Sequence, residues 1–345
     1  MNKEILEEKK VDLHNEDDLS IFKKAISEIK EDDTINIILH NIPDPDAISC
    51  GWAVKTILDL KGIKAEIFHH GEVSHVQNIT MNNIFHIPLN HITETINDGI
   101  NICVDCTPKN SCVNEAFMII DHHENKTNAK HVINHPNMGA CATIMWNIFK
   151  KYVDDMSEFK NIASALLIGI RTDTKEMSTE NIAPDDFIAW QELYQFCEIE
   201  KVQKIVNYDK PRYYFEKLVE MNKEKNNIEK DGIFIGGVGF CNGKQRDVIA
   251  MLADDYLRQE GTNTTIIFCI TDKQYIDISM RTKLSSVNVG NFLQKTFNEK
   301  FSGGTSYQGG AKIPIGEFFM VLDESITEEF WSIVCKIIFK RALKD

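Results

Sequence analysis

Eight side chains in the first half of the chain are of the types that hold divalent cations, and they stand where apolar runs give way to polar ones: His40, Asp44 and Asp46 in LHNIPDPDA, Asp105 in CVDCT, Asp121, His122 and His123 in IIDHH, and Asp173 in GIRTDT. Carboxylates and imidazoles are the usual ligands of hard and borderline divalent ions. Carboxylates gathered at this density repel one another and become partly protonated unless cations hold them. In an extended DPD segment the side-chain period of two sends Asp44 and Asp46 the same way, and Pro45 stiffens the presentation. Each piece also has a plainer reading. Asp46, directly ahead of AISCGWAVKTIL, suits a helix N-cap. His40 suits a satisfied loop histidine, and Asp173 a turn residue with a local side-chain bond. The recurrence of such residues at successive element ends is what the plainer readings leave unexplained.

The apolar pattern predicts the elements that must position them. Residues 19–30 read as a helix, 35–40 as a buried strand, 46–60 as a helix stopped by Gly62, and 65–69, 100–104 and 117–120 as further strands. Helices follow over residues 139–151 and 162–170. Alternating strands and helices, with strands that are continuously apolar, imply an α/β fold with a parallel sheet covered on both faces. Ligands of such sheets bind outside the carboxyl ends of the strands, so the eight side chains fall on one rim. Residues 185–225 read as mostly helical, punctuated by Pro184 and Pro211. A second unit follows: strand 232–240, helix 244–259, strands 264–271 and 275–281, helix 287–297, the glycine-rich SGGTSYQGGAK and a last helix over 325–340.

Charge divides the chain in the same place. The formal net charge is −14, but residues 1–209 carry 19 basic and 34 acidic side chains, while residues 210–345 carry 19 and 18. All 11 histidines lie at or before His135. At about 150 residues per domain, 345 residues make two domains. The excess negative charge argues against a protein that tracks long DNA or RNA by counterion release. No apolar run approaches the ~18 residues of a membrane span. The charged N-terminus lacks the apolar centre of a secretory signal, so a cytoplasmic location is expected. The nine cysteines are odd in number and sit mostly within apolar segments, which suits reduced, buried thiols. Cys103 and Cys106 form a lone CxxC with no second pair at zinc-ribbon spacing, so packing is its expected role.

These residues carry a family resemblance. HNIPDPDA, VDCT, DHH (residues 121–123) and GIRTDT resemble, in order, the four motifs of the DHH phosphoesterase superfamily. SMRTK and FSGGTSYQGGA resemble the Arg-containing strand and glycine-rich motif of the DHH-associated C-terminal domain. The resemblance covers roughly residues 34–320 and is nearest to the nanoRNase-like, pAp-phosphatase-like and RecJ-related members.

The resemblance implies an N-terminal Rossmann-like DHH domain with a parallel sheet, and a smaller C-terminal α/β domain with a mixed sheet, the active site lying in the cleft between them. The expected boundaries are an N-terminal helical extension over 1–30, a metal-binding catalytic domain over 31–195, a helical linker over 196–228 and a substrate-binding domain over 229–345. It further implies two divalent ions, Mn²⁺ in most members. His40 and Asp44 would hold one, Asp46, His122 and Asp173 the other, and Asp105 would bridge them. His123 would contact substrate phosphate or assist the leaving oxygen, and Asp121 would orient the loop or a ligand histidine. Arg281 would clamp a phosphate or stack near a base, with Ser302, Gly303, Gly304, Thr305, Gly309 and Gly310 forming a backbone cradle. Thr305 stands where many nanoRNase-like members carry a His.

The implied activity is Mn²⁺-dependent phosphoester hydrolysis of very short oligonucleotides, such as pApA or pGpG, or of a 3′,5′-bisphosphorylated nucleoside such as pAp. An exopolyphosphatase-like or inorganic-pyrophosphatase-like hydrolase is the alternative within enzymes, and a nucleotide-sensing binding module the alternative outside them. The expected partner is a short oligonucleotide or nucleotide, with a homodimer as an option for assembly; long nucleic acid and membrane are excluded. Arg171 reads either as a phosphate contact or as a counter-charge to the acidic cluster.

Overall fold

A computed structural model describes residues 16–71, 73, 75–124, 128–179, 181–316 and 324–343. The front half of the expected extension, residues 1–15, lies outside the described residues. The chain divides into two compact units, Met1–Tyr208 and Asp209–Asp345.

The first unit holds α1 (Glu16–Ser27), β1 (Ile35–Ile38), α2 (Pro45–Leu60), β2 (Ala65–His69), α3 (Val76–Phe85), β3 (Leu89–His91), β4 (Ile100–Val104), β5 (Ala116–Asp121), β6 (Ala129–Asn134), α4 (Cys141–Phe149), α5 (Lys160–Asp173), α6 (Pro184–Phe196) and α7 (Ile199–Val206). Its six strands are all parallel, in the order β3-β2-β1-β4-β5-β6. The chain winds outward from β1 through β2 to β3, then returns to β4 on the other side of β1. The gap between the ends of β1 and β4 is therefore the topological switch point, where the carboxyl ends of an open parallel sheet leave a crevice.

Alternation along the strands explains the two faces. Ile37, Leu39, Ile102, Val104, Met118 and Ile120 join the main core with α2, α4 and α5. Ile38, Cys103 and Ile119 point the other way, into a small cluster closed by Cys106, Cys112 and Val113. This second face is covered by the 92–113 segment instead of a helix layer. The CxxC cysteines are packing residues, and all nine cysteines are free thiols.

The strands over 65–69 and 100–104 lie where the apolar pattern puts them. Two other strands and a helix did not show in it. β6 (AKHVIN) is an edge strand with a polar residue at half of its positions, β3 is three residues long and half exposed, and α3 (VQNITMNNIF) has three asparagines and only three buried side chains.

The second unit holds α8 (Arg212–Met221), β7 (Asn227–Lys230), β8 (Ile233–Cys241), α9 (Val248–Tyr256), β9 (Thr264–Thr271), β10 (Tyr275–Thr282), α10 (Val289–Phe297), β11 (Ser302–Gly304), β12 (Gln308–Pro314) and α11 (Glu324–Ala342). Its sheet is mixed, in the order β11-β12-β10-β9-β8-β7, with β8 and β9 parallel and the remaining pairs antiparallel. The division of the chain falls inside the 196–228 span: α7 belongs to the first unit and α8 to the second. No helix among the described residues is long and apolar enough to cross a membrane.

Candidate metal centre

Four element ends in the first unit meet at the switch point. The chain leaves β1 through His40 and enters α2 at Pro45, the first helical residue, where proline's fixed φ suits a helix start. The DPD segment is therefore not extended as a whole. Asp44 is the N-cap, accepting from the N–H groups of Asp46 and Ala47 at 3.0 and 3.1 Å. Asp46, expected as the cap, has another task. Its two carboxylate oxygens accept from the N–H groups of Cys141 and Ala142 at 2.7 and 2.8 Å, so it caps α4, whose own N-cap is Ala140. Gly169 in α5 permits this placement, since a Cβ there would stand 3.0 Å from Asp46 Oδ1 and 2.8 Å from Ser49 Oγ.

Asp105 follows β4 with φ +54°, a left-handed conformation that Asp tolerates better than most residues. Its N–H donates to Ile120 C=O at 2.8 Å, which fixes the turn and directs the carboxylate back across the strand ends. Asp121 ends β5 and is fully buried. Its Oδ1 accepts from the N–H groups of His122 and His123 at 2.8 and 3.2 Å and from His123 Nδ1 at 2.8 Å, so one carboxylate shapes the whole DHH turn.

The atoms converge closely. His122 Nε2 lies 3.1 Å from Asp173 Oδ2, 3.4 Å from Asp105 Oδ1 and 3.8 Å from Asp46 Oδ2. His40 Nε2 lies 3.7 Å from Asp44 Oδ1 and 3.8 Å from Asp105 Oδ2. Three groups have ligand atoms mutually within 4.8 Å: His40, Asp44 and Asp105; Asp46, His122 and Asp173; and Asp105, His122 and His123. Asp105 presents one oxygen toward His40 and the other toward His122.

Donor chemistry shows that a cation fits here. His122 Nδ1 lies 3.0 Å from Met138 C=O, and a carbonyl can only accept, so Nδ1 carries the hydrogen and Nε2 faces the carboxylates. Both His122 Nε2 and Asp105 Oδ1 are buried without a hydrogen-bond partner. Orphaned polar atoms of this kind are costly unless something between them binds both.

Electrostatics agrees. Burial opposes a charge on His40, yet the hydrogen bond and charge of Asp44, with Asp105 and Asp173 beyond, push it up to about 9. His122 is likewise raised against its burial by Asp105 and Asp173. Burial, then the charges of Asp105 and Asp173, hold Asp46 well above the carboxylate range, and burial with Asp44 pushes Asp173 up to about 6. Asp44 is only partly covered, and His40 brings it down to about 2. The pattern is that of a carboxylate cluster short of positive charge, in which protonated imidazoles take the place a cation would fill.

A support chain stands behind His122. Asp186, in the first turn of α6 and fully buried, accepts from Gly139 N–H at 2.8 Å, Ala183 N–H at 2.8 Å and Thr143 Oγ1 at 2.5 Å. It thereby fixes the residue after Met138, whose carbonyl sets the His122 ring. A Cβ on Gly139 would stand 2.8 Å from Asp186 Oδ2, so the approach requires glycine. In sequence Asp186 looks like an ordinary acidic residue of a helix start, PDDF, two residues after Pro184.

Arg171 sits in the last turn of α5, two residues before Asp173. Its guanidinium forms a forked pair with Glu176 at 2.8–3.0 Å and lies over the Trp190 ring.

In the second unit, β10 is flanked on both sides, by β9 and β12, so Arg281 is not on an edge strand. Its Nε donates to Asp254 Oδ1 at 2.7 Å and its NH1 to Ser279 Oγ at 2.9 Å. Ser302, Gly303 and Gly304 form β11 opposite Gly309 and Gly310 of β12. Thr305 closes the hairpin, its N–H donating to Gln308 C=O at 2.8 Å and its Oγ1 accepting from the N–H of Tyr307 and of Gln308 at 3.4 Å. A Cβ on Gly309 would press on Leu293 and Val289 at 3.0 Å, so this glycine seats the hairpin on α10. On Gly303 a Cβ would meet no described atom within 4 Å.

A parallel sheet that gathers this ligand set at its switch point defines a class. Residues 34–170, within the first unit, match the DHH family, N-terminal domain. It is 31% identical over 298 residues to an uncharacterized protein of Methanocaldococcus jannaschii, a match covering 84% of this chain and 59% of that protein's length. The chain thus spans less than two thirds of that curated relative. Its fold is similar to the crystal structure of an exopolyphosphatase-related protein from Bacteroides fragilis, with a TM-score of 0.65, 15% identity, and coverage of 93% of this chain and 98% of that one.

Proposed function

We propose that the protein is a Mn²⁺-dependent phosphohydrolase of the cytoplasm that cleaves phosphoester bonds in very short oligonucleotides or in 3′,5′-bisphosphorylated nucleosides. The observation that carries this reading is the pair of buried, unpartnered atoms, His122 Nε2 and Asp105 Oδ1, set 3.4 Å apart among the carboxylates of Asp46 and Asp173. In this reading residues 31–195 form the catalytic domain and residues 229–345 the substrate-binding domain.

His40 and Asp44 would hold one ion, Asp46, His122 and Asp173 the other, and Asp105 would be shared between them. A mixed oxygen and imidazole set suits Mn²⁺. When bound, two divalent ions make water a competent nucleophile at neutral pH and neutralise the oxygens of the transferred phosphoryl group. The remaining work falls to the chain. Asp121 fixes His123 through Nδ1, which leaves Nε2 as the ring nitrogen offered to substrate. In the hydrolysis, water oxygen bonds to phosphorus, the bond from phosphorus to the leaving oxygen breaks, and His123 holds the proton that the leaving oxygen takes up. Arg281 supplies a planar cation to a non-reacting phosphate. Ser302, Gly303, Gly304, Thr305, Gly309 and Gly310 form the wall beside it, and the open space at Gly303 supports that assignment.

A Mn²⁺-supplemented panel of pApA, pGpG, pAp, a five-residue RNA, pyrophosphate and polyphosphate tests the reading. Turnover of one or more of the nucleotide substrates, well above that of pyrophosphate and polyphosphate, is expected. Turnover of polyphosphate or pyrophosphate alone overturns it, as does tight nucleotide binding with no hydrolysis.

A further inference from the structure

The two groups of ligands are held from behind by different helices. The His122 ring is set by Met138 C=O, and the residue after Met138 is fixed by Asp186 of α6. His40 and Asp44 share one short segment between β1 and α2, and its supports lie elsewhere.

That segment supplies little structure of its own. Asn41 and Ile42 are exposed, and Pro43 and Pro45 carry no N–H. Asp44, between the two prolines, is extended at φ −95° and ψ −178°, as a residue before proline prefers. The peptide unit between Pro43 and Asp44 is less constrained, because the proline ring fixes φ and leaves ψ open. In a trans unit the carbonyl and the N–H point to opposite sides. Here the N–H faces His40 Nε2 at 3.4 Å, and the side chain of the same residue, Asp44, caps α2. The turn of this one unit therefore sets how His40 and Asp44 face each other.

Its carbonyl is held by Asn78. Asn78 Nδ2 donates to Pro43 C=O at 3.0 Å, and a carbonyl only accepts, so the amide nitrogen is the atom turned toward the segment. Asn78 is 6% exposed and lies on α3, whose other buried side chains, Met81 and Phe85, follow it on the same stripe. Met81 and Phe85 join the main core, and the Phe85 ring lies 5.9 Å from that of Trp52 in α2. At the start of α3, His75 Nδ1 accepts from Gln77 N–H at 3.2 Å. The helix is thus anchored at both ends, and the one polar member of its buried stripe reaches across to the ligand segment. Two backbone groups assist. Gly71 N–H donates to Asn41 C=O, an approach so close that a Cβ on Gly71 would collide with that oxygen, and Asn41 N–H donates to Asn110 C=O at 3.0 Å. Gly71, Asn78 and Asn110 all lie outside the four motifs that carry the ligands.

We propose that Asn78 is a positioning residue for the ion of His40 and Asp44, acting independently of Asp186, so that separate helices tune the two ions. This rests on the two-ion reading of the site, and the test tells the two apart. Calorimetric Mn²⁺ titrations of the intact chain compare the parent, Asn78→Ala, His40→Ala and the double variant, each checked for folding by its metal-free melting curve. In Asn78→Ala one dissociation constant is expected to rise about tenfold or more, with the other unchanged within about twofold. In the His40→Ala background, where that ion has already lost a ligand, the same change at Asn78 is expected to leave the remaining constant as it was. Two unchanged constants in Asn78→Ala overturn the proposal whatever the melting temperature does, since the loss of a buried hydrogen bond lowers it in either case. Both constants raised alike, or a further rise in the His40→Ala background, overturn it as well, because the effect is then not confined to one ion. A parent that binds a single ion contradicts the two-ion reading and not the hold on the segment, which stands if that ion weakens in Asn78→Ala and falls if it does not. Should Asn78→Ala not fold, Asn78→Leu, which keeps the bulk and lacks the donor, replaces it with the same outcomes.

Discussion

The two units use their sheets differently. In the first, six parallel strands release their carboxyl ends on one edge, where three histidines and a dense set of carboxylates gather. In the second, one parallel pair is extended by antiparallel strands, no histidine is present, and the charged groups are tied up singly, as Arg281 is by Asp254 and Arg246 by Asp277 at 2.9 Å. A purely parallel sheet concentrates element ends at one crevice, which lets residues far apart in sequence share an ion. A mixed sheet distributes its ends and offers a surface of strands and hairpins. The contrast teaches that part of the acidity of residues 1–209 is local: of 34 acidic side chains, Asp44, Asp46, Asp105, Asp121 and Asp173 stand at the crevice. That part is a cluster built to be neutralised, whereas residues 210–345 are balanced, with 19 basic and 18 acidic side chains.

The sharpest way to break this contrast is at Asp105. Asp105→Ala removes the group shared by both sets of ligands, so kcat on the best substrate of the panel should fall more than about a thousandfold while the melting temperature of the metal-free protein holds or rises. Activity within tenfold of the parent contradicts the shared-ligand geometry. Asp186→Asn comes next. It keeps the shape but weakens the hold on Gly139, so Mn²⁺ affinity by calorimetry should drop about 10–100-fold, with kcat at saturating Mn²⁺ largely restored. A purely structural role would lower stability and leave metal affinity unchanged.

In the second unit the expected effect is smaller and of another kind. Arg281→Ala should raise KM about tenfold with little change in kcat, because it removes binding common to ground and transition states. A fall in kcat alone would move Arg281 into the chemistry and blur the division between the units.

The smallest effect lies at the rim of the first unit, where His135 Nε2 meets Asp18 of α1 at 2.8 Å. The Asp18 hydrogen bond raises the His135 pKa. A histidine raised on folding stabilises the fold fully below its unfolded pKa of about 6.5 and loses that contribution as pH climbs through the raised folded value. Melting curves of the parent and Asp18→Asn should therefore differ at pH 6, by up to about 1 kcal/mol, and converge at pH 9. A gap that widens with pH would reverse the assignment.

How much of this was legible in the sequence follows from what sequence encodes. Residue type at the end of an apolar run is local, so His40, Asp105, His122 and Asp173 stood out, and the parallel sheet followed from strand and helix order. Partners across long separations are not local. Asp46 looked like the cap of its own helix and instead caps α4, 95 residues away, because α2 and α4 pack side by side. Asp186 reaches Gly139 only through the packing of α6 on α4 and α5. Edge strand β6 escaped notice because an edge need not be apolar on both faces. Nothing in FHHG discloses that the His69 ring is buried and that of His70 exposed.

The central claim is that the ends of β1, β4, β5 and α5 hold two ions through one shared carboxylate. Electron paramagnetic resonance during a Mn²⁺ titration of the intact chain tests it most directly. Two ions bound per chain are predicted, with the exchange-broadened spectrum of a coupled pair at saturation. A single ion per chain, or two that give the sharp six-line pattern of isolated Mn²⁺, would contradict the account.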